Sequence, residues 1–286
     1  MHVLLRNFDT RPRTFSSLSH IACTLIAPEI FSTTLAEVSQ ITLTRISREK
    51  KIMEKIILSN CLSFIKEIDI FDLVANRVFF RGQSISGNLL PSIARLDPKI
   101  DTTVMEKEIL KQLRLQGSSM LPDSNETDLD ILVRAQHYGL KTRLLDWTSN
   151  PLAALWFACS DRRPGDVYVY ALIADDLLDE DVFESNPFAS SKTQVFQPRM
   201  NNNRIIAQHG WFTLHRYSKS SKRFVSLETN SEIKKHLYQY TIPAQYRDET
   251  LISLDRLGVN AKTIFPDFDG LCRHLNWQFI ALSQSQ

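Results

Sequence analysis

The pair Asn150-Pro151 starts a helix that has to be buried. Asparagine suits the N-cap and proline the first turn, and the residues that follow, LAALWFA, offer no polar side chain to water. This helix runs to about Cys159. Shortly after it, VYVYALI reads as a strand, because β-branched and aromatic residues dominate it without a breaker. A buried helix beside such a strand commits the chain to mixed α and β character, and 286 residues with 43% hydrophobic composition suffice for one sizeable core. The expected fold class is α+β: a single domain with a mixed or antiparallel β core flanked by helices.

Elsewhere the pattern is coarser. Ile57, Cys61, Phe64, Ile65 and Ile68 recur at three- and four-residue intervals and predict one helix face after Met53. RVFFRG, residues 77–82, predicts a short strand that ends at the glycine, with Arg81 at its tip. Residues 105–115 and 129–135 predict two helices separated by a surface loop. After a polar, irregular stretch over 175–203, residues 204–215 and 236–242 predict strands, and 249–257 predicts a helix closed by Gly258.

Residues 1–50 are rich in Ser and Thr, poor in acids and without a sustained period. They are expected to form part of a poorly ordered extension over residues 1–52, with a natural beginning at Met53 and the domain over 53–286. That reading is preferred to a mitochondrial-type presequence, which Arg6, Arg11 and Arg13 among Ser and Thr would otherwise suggest.

A formal net charge of +2 gives no general polyanion-binding surface. Cys23, Cys61, Cys159 and Cys272 form no CxxC pair and have no histidine at zinc-ligand spacing, which favours buried thiols over a metal site. No apolar run reaches the roughly 18 residues that span a bilayer, and no signal-peptide cleavage site follows Met1. The expected location is cytoplasmic, with no membrane partner.

Between two apolar helices the segment QHYGLKTRLLDWTSN concentrates Gln136, His137, Arg143, Asp146, Thr148 and Asn150 in what reads as a loop pinned at both ends. Ligand contact is favoured for Gln136, His137, Arg143 and Thr148. The alternative is a buried network in which Asp146 caps backbone N–H groups, Arg143 pairs with it and Trp147 packs as an apolar body. His137 suits a general base or a neutral hydrogen-bond partner. A serine-hydrolase arrangement is disfavoured because no GxSxG elbow exists. FFRGQS adds Arg81 and Gln83, a guanidinium able to grip phosphate or carboxylate and an amide beside it, with a surface ion pair as the plain alternative. Neither a Walker A pattern nor GxGxxG is present, so any nucleotide binds differently. RIIAQHGWF contributes Gln208. In FPDFDGL, Asp267 and Asp269 read as a turn or helix cap in preference to a metal site.

FFRGQS, LLPSIAR, AQHYGLKTRLLDWTSNPLAALWFA, RIIAQHGWFTLH and FPDFDGL together closely resemble the FRG domain family, found largely in bacteria and phages, over about residues 79–274. A weaker resemblance is to ADP-ribosyltransferases, with Arg81 as the early-strand element and the Asp146-Trp-Thr-Ser149 run before the Pro151 helix as the second. That likeness implies an ADP-ribosyltransferase-like fold with NAD as substrate, a protein or nucleic-acid acceptor, and a role in bacterial stress, toxin or antiphage function. It implies that Arg81, Thr148 and Gln208 are catalytic and that Gln83, Gln136, His137, Arg143, Asp146 and Asn150 bind the ligand. Arg81 and Arg143 would take phosphate, Gln83 and Thr148 would orient sugar, and Gln208 would face the ribose. Those enzymes carry a glutamate where this chain has Gln208, and glutamine supplies no carboxylate. The rival reading is a non-catalytic ligand- or nucleic-acid-binding module.

Overall fold

The computed structural model describes residues 54–121, 126–200 and 202–283. The expectations for residues 1–52 lie outside these. In chain order the elements begin with strand β1 (Glu54–Ile57), helices α1 (Cys61–Ile68) and α2 (Phe71–Val74), and strand β2 (Val78–Gln83). Helices α3 (Thr103–Gln116) and α4 (Asp128–His137) lead to β3 (Leu144–Thr148), α5 (Pro151–Ser160) and β4 (Val167–Ile173). Then come β5 (Gln194–Phe196), α6 (Asn203–Ala207), β6 (Gly210–Leu214), a small hairpin of β7 (Tyr217–Ser218) and β8 (Arg223–Phe224), and β9 (Leu237–Ile242). The chain closes with α7 (Arg247–Arg256), α8 (Ala261–Ile264) and α9 (Phe268–Ser283). Among the described residues no helix is long and apolar enough to cross a membrane.

Seven strands form one sheet in the order β1-β9-β4-β2-β3-β6-β5. β1 runs parallel to β9 and every other neighbouring pair is antiparallel, so the sheet is mixed and the fold α+β, as expected. Alternate side chains divide between two packed faces. On one face Phe80, Val167, Val169 and Ala171 pack with Phe64 of α1 and with Ala154, Leu155 and Ala158 of α5. The other face buries Phe79, Leu145, Trp147, Tyr170, Leu172 and Leu237.

α5 realises its sequence signal: Asn150 Oδ1 accepts from the backbone N–H groups of Leu152 and Ala153 at 3.0 and 3.2 Å. Its C-terminal end is closed by Arg247, whose guanidinium donates to the carbonyl of Cys159 in the last turn, a group that a helix end leaves without an intrahelical partner, and to those of Asp161, Arg163 and Gly165 in the cap and the loop that follows. Of the cysteines described, Cys61 and Cys159 are buried and Cys272 is half-buried. Burial pushes the Cys159 thiol up to about 12, which makes it inert at neutral pH.

Four sequence expectations are corrected. Ile57 belongs to β1 and is 76% exposed; the helix begins only at Cys61, because Asn60 and Ser63 form a reciprocal capping box there. β2 does not stop at Gly82 but continues to Gln83, and the glycine serves a close approach of α5 instead of a turn. The stretch 204–215 is not one strand: α6 occupies its start, and His209, at φ +49°, breaks the chain before β6. The irregular stretch 175–203 contains β5, paired with β6 at the sheet edge.

Candidate functional site

Residues 136–150 are not a loop. Gln136 and His137 end α4, and Leu144 to Thr148 form β3 inside the sheet, between β2 and β6. In β3 only Asp146 is exposed; its neighbours Leu144, Leu145, Trp147 and Thr148 are buried. The join with β2 is unusual. β2 matches β4 over six residue pairs, but it meets β3 at one, Phe80 with Thr148. Beyond that pair the strands part, and the Arg81 guanidinium occupies the gap. Its Nη1 donates to the backbone carbonyl of Asp146 at 2.8 Å and lies 3.7 Å from the Asp146 carboxylate.

A pocket of about 360 Å³ opens above this gap. From the sheet it is lined by Phe80, Gly82, Asp146, Thr148, Gly210 and Phe212, which the strand pairings place on one face. Arg81, Trp147 and Trp211 also reach it, and the surrounding wall comes from Gln136 and His137 of α4, Phe157 of α5, Arg204, Ile205 and Gln208 of the α6 segment, and Phe265. Six of the sixteen lining residues are Phe or Trp and seven are polar or charged, so aromatic rings and converging polar groups share the wall, a combination that suits a small-molecule site.

The Arg81 side chain is 14% exposed. Burial pushes it down to about 10, while Asp146 acts to hold it up, so it remains a cation at neutral pH. Gln83 sits outside the pocket and steadies this cation: its Oε1 accepts from Arg81 Nε at 3.3 Å, and its Nε2 donates to the carbonyls of Ile85 and Gly87. Asp146 is fixed from the other side by Gln136 Nε2 at 2.7 Å, and Gln136 Oε1 accepts in turn from the Thr142 hydroxyl. Burial lowers His137 below its usual 6.5, so its ring is neutral at pH 7.

The candidate residues therefore divide. Arg81, Gln136, His137, Asp146, Thr148 and Gln208 meet at the pocket. Thr148 and Gln208 are also tied to each other, since Thr148 Oγ1 donates to the Gln208 carbonyl at 2.6 Å and Gln208 Nε2 donates to Ile264 O at 3.2 Å. Gln208 is not on a strand, as its ribose-facing role would have it, but caps α6. Arg143 is absent from the lining: it is 1% exposed and forks onto Glu106 at 2.8 and 3.1 Å. It does not pair with Asp146, because residues three apart on an extended chain point to opposite faces. Asn150 is spent on capping α5.

The sequence reading missed Phe157, Arg204 and Phe265. Phe157 lies in a run that reads as pure core, and Phe265 was overshadowed by the acids beside it. Arg204 stacks over the Phe265 ring at 5.4 Å and donates through Nε and Nη2 to Asp267 at 2.9 and 2.5 Å. The other oxygen of Asp267 accepts from Gly270 N, the helix-capping role expected for this turn, and that N–H together with Arg204 holds the carboxyl below the usual range. Asp269 pairs with Arg273 at 2.7 Å. Among the described residues no three His, Cys, Asp or Glu side chains converge on a metal position.

On the far face of the sheet, Trp147 Nε1 donates to Thr213 Oγ1 at 3.1 Å, and that hydroxyl lies 3.0 Å from His215 Nε2. A hydroxyl can accept two hydrogen bonds as well as donate one, so this contact suits either neutral tautomer of the ring. Burial, reinforced by Arg81 and Arg143, pushes His215 down to about 3. Because the folded value is depressed, the folded protein binds fewer protons than the unfolded chain. The stability is fully present above the unfolded value near 6.5 and is lost as pH falls toward 3. By pH 5 the loss from this one group is expected to be about 2 kcal/mol. Urea midpoints at pH 7 and pH 5 check it, and His215→Gln should flatten that difference; an unchanged difference in the variant refutes the assignment.

Comparison with known proteins gives one match. Residues 76–166 fit the family model of the FRG domain, a span that holds FFRGQS, LLPSIAR and the whole of α4, β3 and α5. No curated protein and no solved structure matches the chain. The match ends before RIIAQHGWFTLH and FPDFDGL, and two of the seven strands of the sheet, β2 and β3, lie inside it.

Proposed function

Because the chain carries an FRG domain, we propose that the pocket of this domain is an NAD- or nucleotide-type site and that the protein is ADP-ribosyltransferase-like, splitting the nicotinamide–ribose bond of NAD for transfer or hydrolysis. The observation that carries this reading is the parted β2–β3 junction, where a buried guanidinium underlies a pocket walled by aromatic rings. Rings of this kind stack planar bases, and a forked cation recognises phosphate or polarised sugar oxygens. Arg204 at the rim adds a second guanidinium for the anionic part of such a ligand. A protein or nucleic-acid acceptor and a bacterial defence, toxin or stress role belong to the same reading.

The test is incubation with NAD labelled in the adenine half and, separately, in nicotinamide, with cell extract as acceptor source. Transferred label or free nicotinamide is expected. Arg81→Ala should lower NAD affinity by at least about tenfold, equivalent to about 1.4 kcal/mol, and Arg81→Lys should restore little of it, since an ammonium keeps the charge without the fork. Affinity equal to wild type in both variants would remove Arg81 from the site.

One observation favours the rival, a binding module without turnover. Gln208 is neutral and its amide is already bonded to Ile264 O. A module of that kind predicts thermal stabilisation by NAD or a mononucleotide with no nicotinamide released.

A further inference from the structure

We propose that Asp146 is the carboxylate that faces the reacting ribosyl carbon, in place of any group at Gln208. This rests on the NAD reading above. Breaking an N-glycosidic bond builds positive charge on the sugar ring, and a fixed carboxylate beside that charge stabilises the transition state. Among the described residues Asp146 is the one acid in the pocket lining. Its side chain is 60% exposed although it projects from the middle of a strand whose other four residues are buried. It is also held in place: Gln136 Nε2 bonds one oxygen at 2.7 Å, and Arg81 Nη1 stands 3.7 Å from the other. A surface carboxylate needs no such fixing, whereas a reacting one does.

In the step this implies, the bond from ribose C1′ to the nicotinamide nitrogen breaks and its electron pair goes to the ring, which leaves as neutral nicotinamide. The ribosyl cation that remains lies against the Asp146 carboxylate. Water, or a hydroxyl or amine of an acceptor, then bonds to C1′ and gives up its proton to the neutral His137 ring on the same wall. His137 passes that proton to solvent.

Asp146→Asn separates this role from a structural one. The asparagine keeps an oxygen for Gln136, and the bond from Arg81 to the residue 146 carbonyl is a backbone contact that the change leaves alone. NAD affinity by calorimetry is expected to stay within about threefold of wild type, while nicotinamide release falls by about a hundredfold or more. Asp146→Glu, which restores a carboxylate, should recover part of the release. If the wild type releases nicotinamide and Asp146→Asn does so at the same rate, the assignment is overturned and the NAD site stands. If the wild type binds NAD and releases nothing, the assignment also falls. A wild type that neither binds nor cleaves NAD removes the site reading itself.

Discussion

Arg143→Ala is expected to lower the unfolding free energy by about 3–5 kcal/mol, a large part of the total stability of a typical domain. Arg143 and Glu106 are 1% and 2% exposed, and the guanidinium also donates to Thr103 Oγ1 and lies over the Phe188 ring at 4.5 Å. Removing the cation leaves a buried carboxylate whose remaining side-chain partner among the described residues is the Thr102 hydroxyl at 2.7 Å. The double change Arg143→Met with Glu106→Leu should recover most of the loss, because the penalty lies in the stranded charge more than in the lost pair. Urea unfolding of the three proteins decides the matter, and a single variant costing under about 1 kcal/mol would mean that water reaches Glu106 after all.

Gly82→Ala should be nearly as damaging, by a different route. A methyl group there would stand 1.8 Å from the Ala154 carbonyl oxygen and 2.6 Å from the Ala158 nitrogen, both backbone atoms of α5. No rotamer relieves such a clash, so the helix has to move off the sheet, at about 3 kcal/mol or more. The change also reaches the pocket, because Gly82 lines it and α5 carries Phe157 into it. Gly139→Ala is the informative contrast. Its φ of +89° disfavours a side chain, yet nothing lies within 4 Å, so the cost there is only the backbone term of about 1–2 kcal/mol. Thermal midpoints should fall much further for the first substitution than for the second; equal shifts would show that the approach of helix to strand has slack.

The sequence foretold elements whose signal is local. Asn150-Pro151 before LAALWFA and the unbroken VYVYALI both name their own structure, and both stand within a residue of expectation. β3 was hidden because its type is decided by partners: LLDWT is a strand only between β2 and β6, and its polar flanks disguise it as a loop. The same blindness affected the site. Polar residues concentrated around 136–148 pointed to the neighbourhood of the pocket, but which of them turn inward follows from strand parity and from distant partners such as Glu106, 37 residues before Arg143 along the chain. Arg143 was thus grouped with a pocket it does not line, while Arg204 and Phe265 went unnoticed because they reach it from outside the polar segment.

The parted junction has a mechanical meaning too. Four strands on one side and three on the other share a single matched residue pair and one side-chain cation, so the seam is the line of least backbone stitching in the sheet. Anything seated in the pocket touches β2 on one bank and β3 and β6 on the other. A ligand seated there would therefore work as a rivet, stiffening the sheet where its ladder is thinnest.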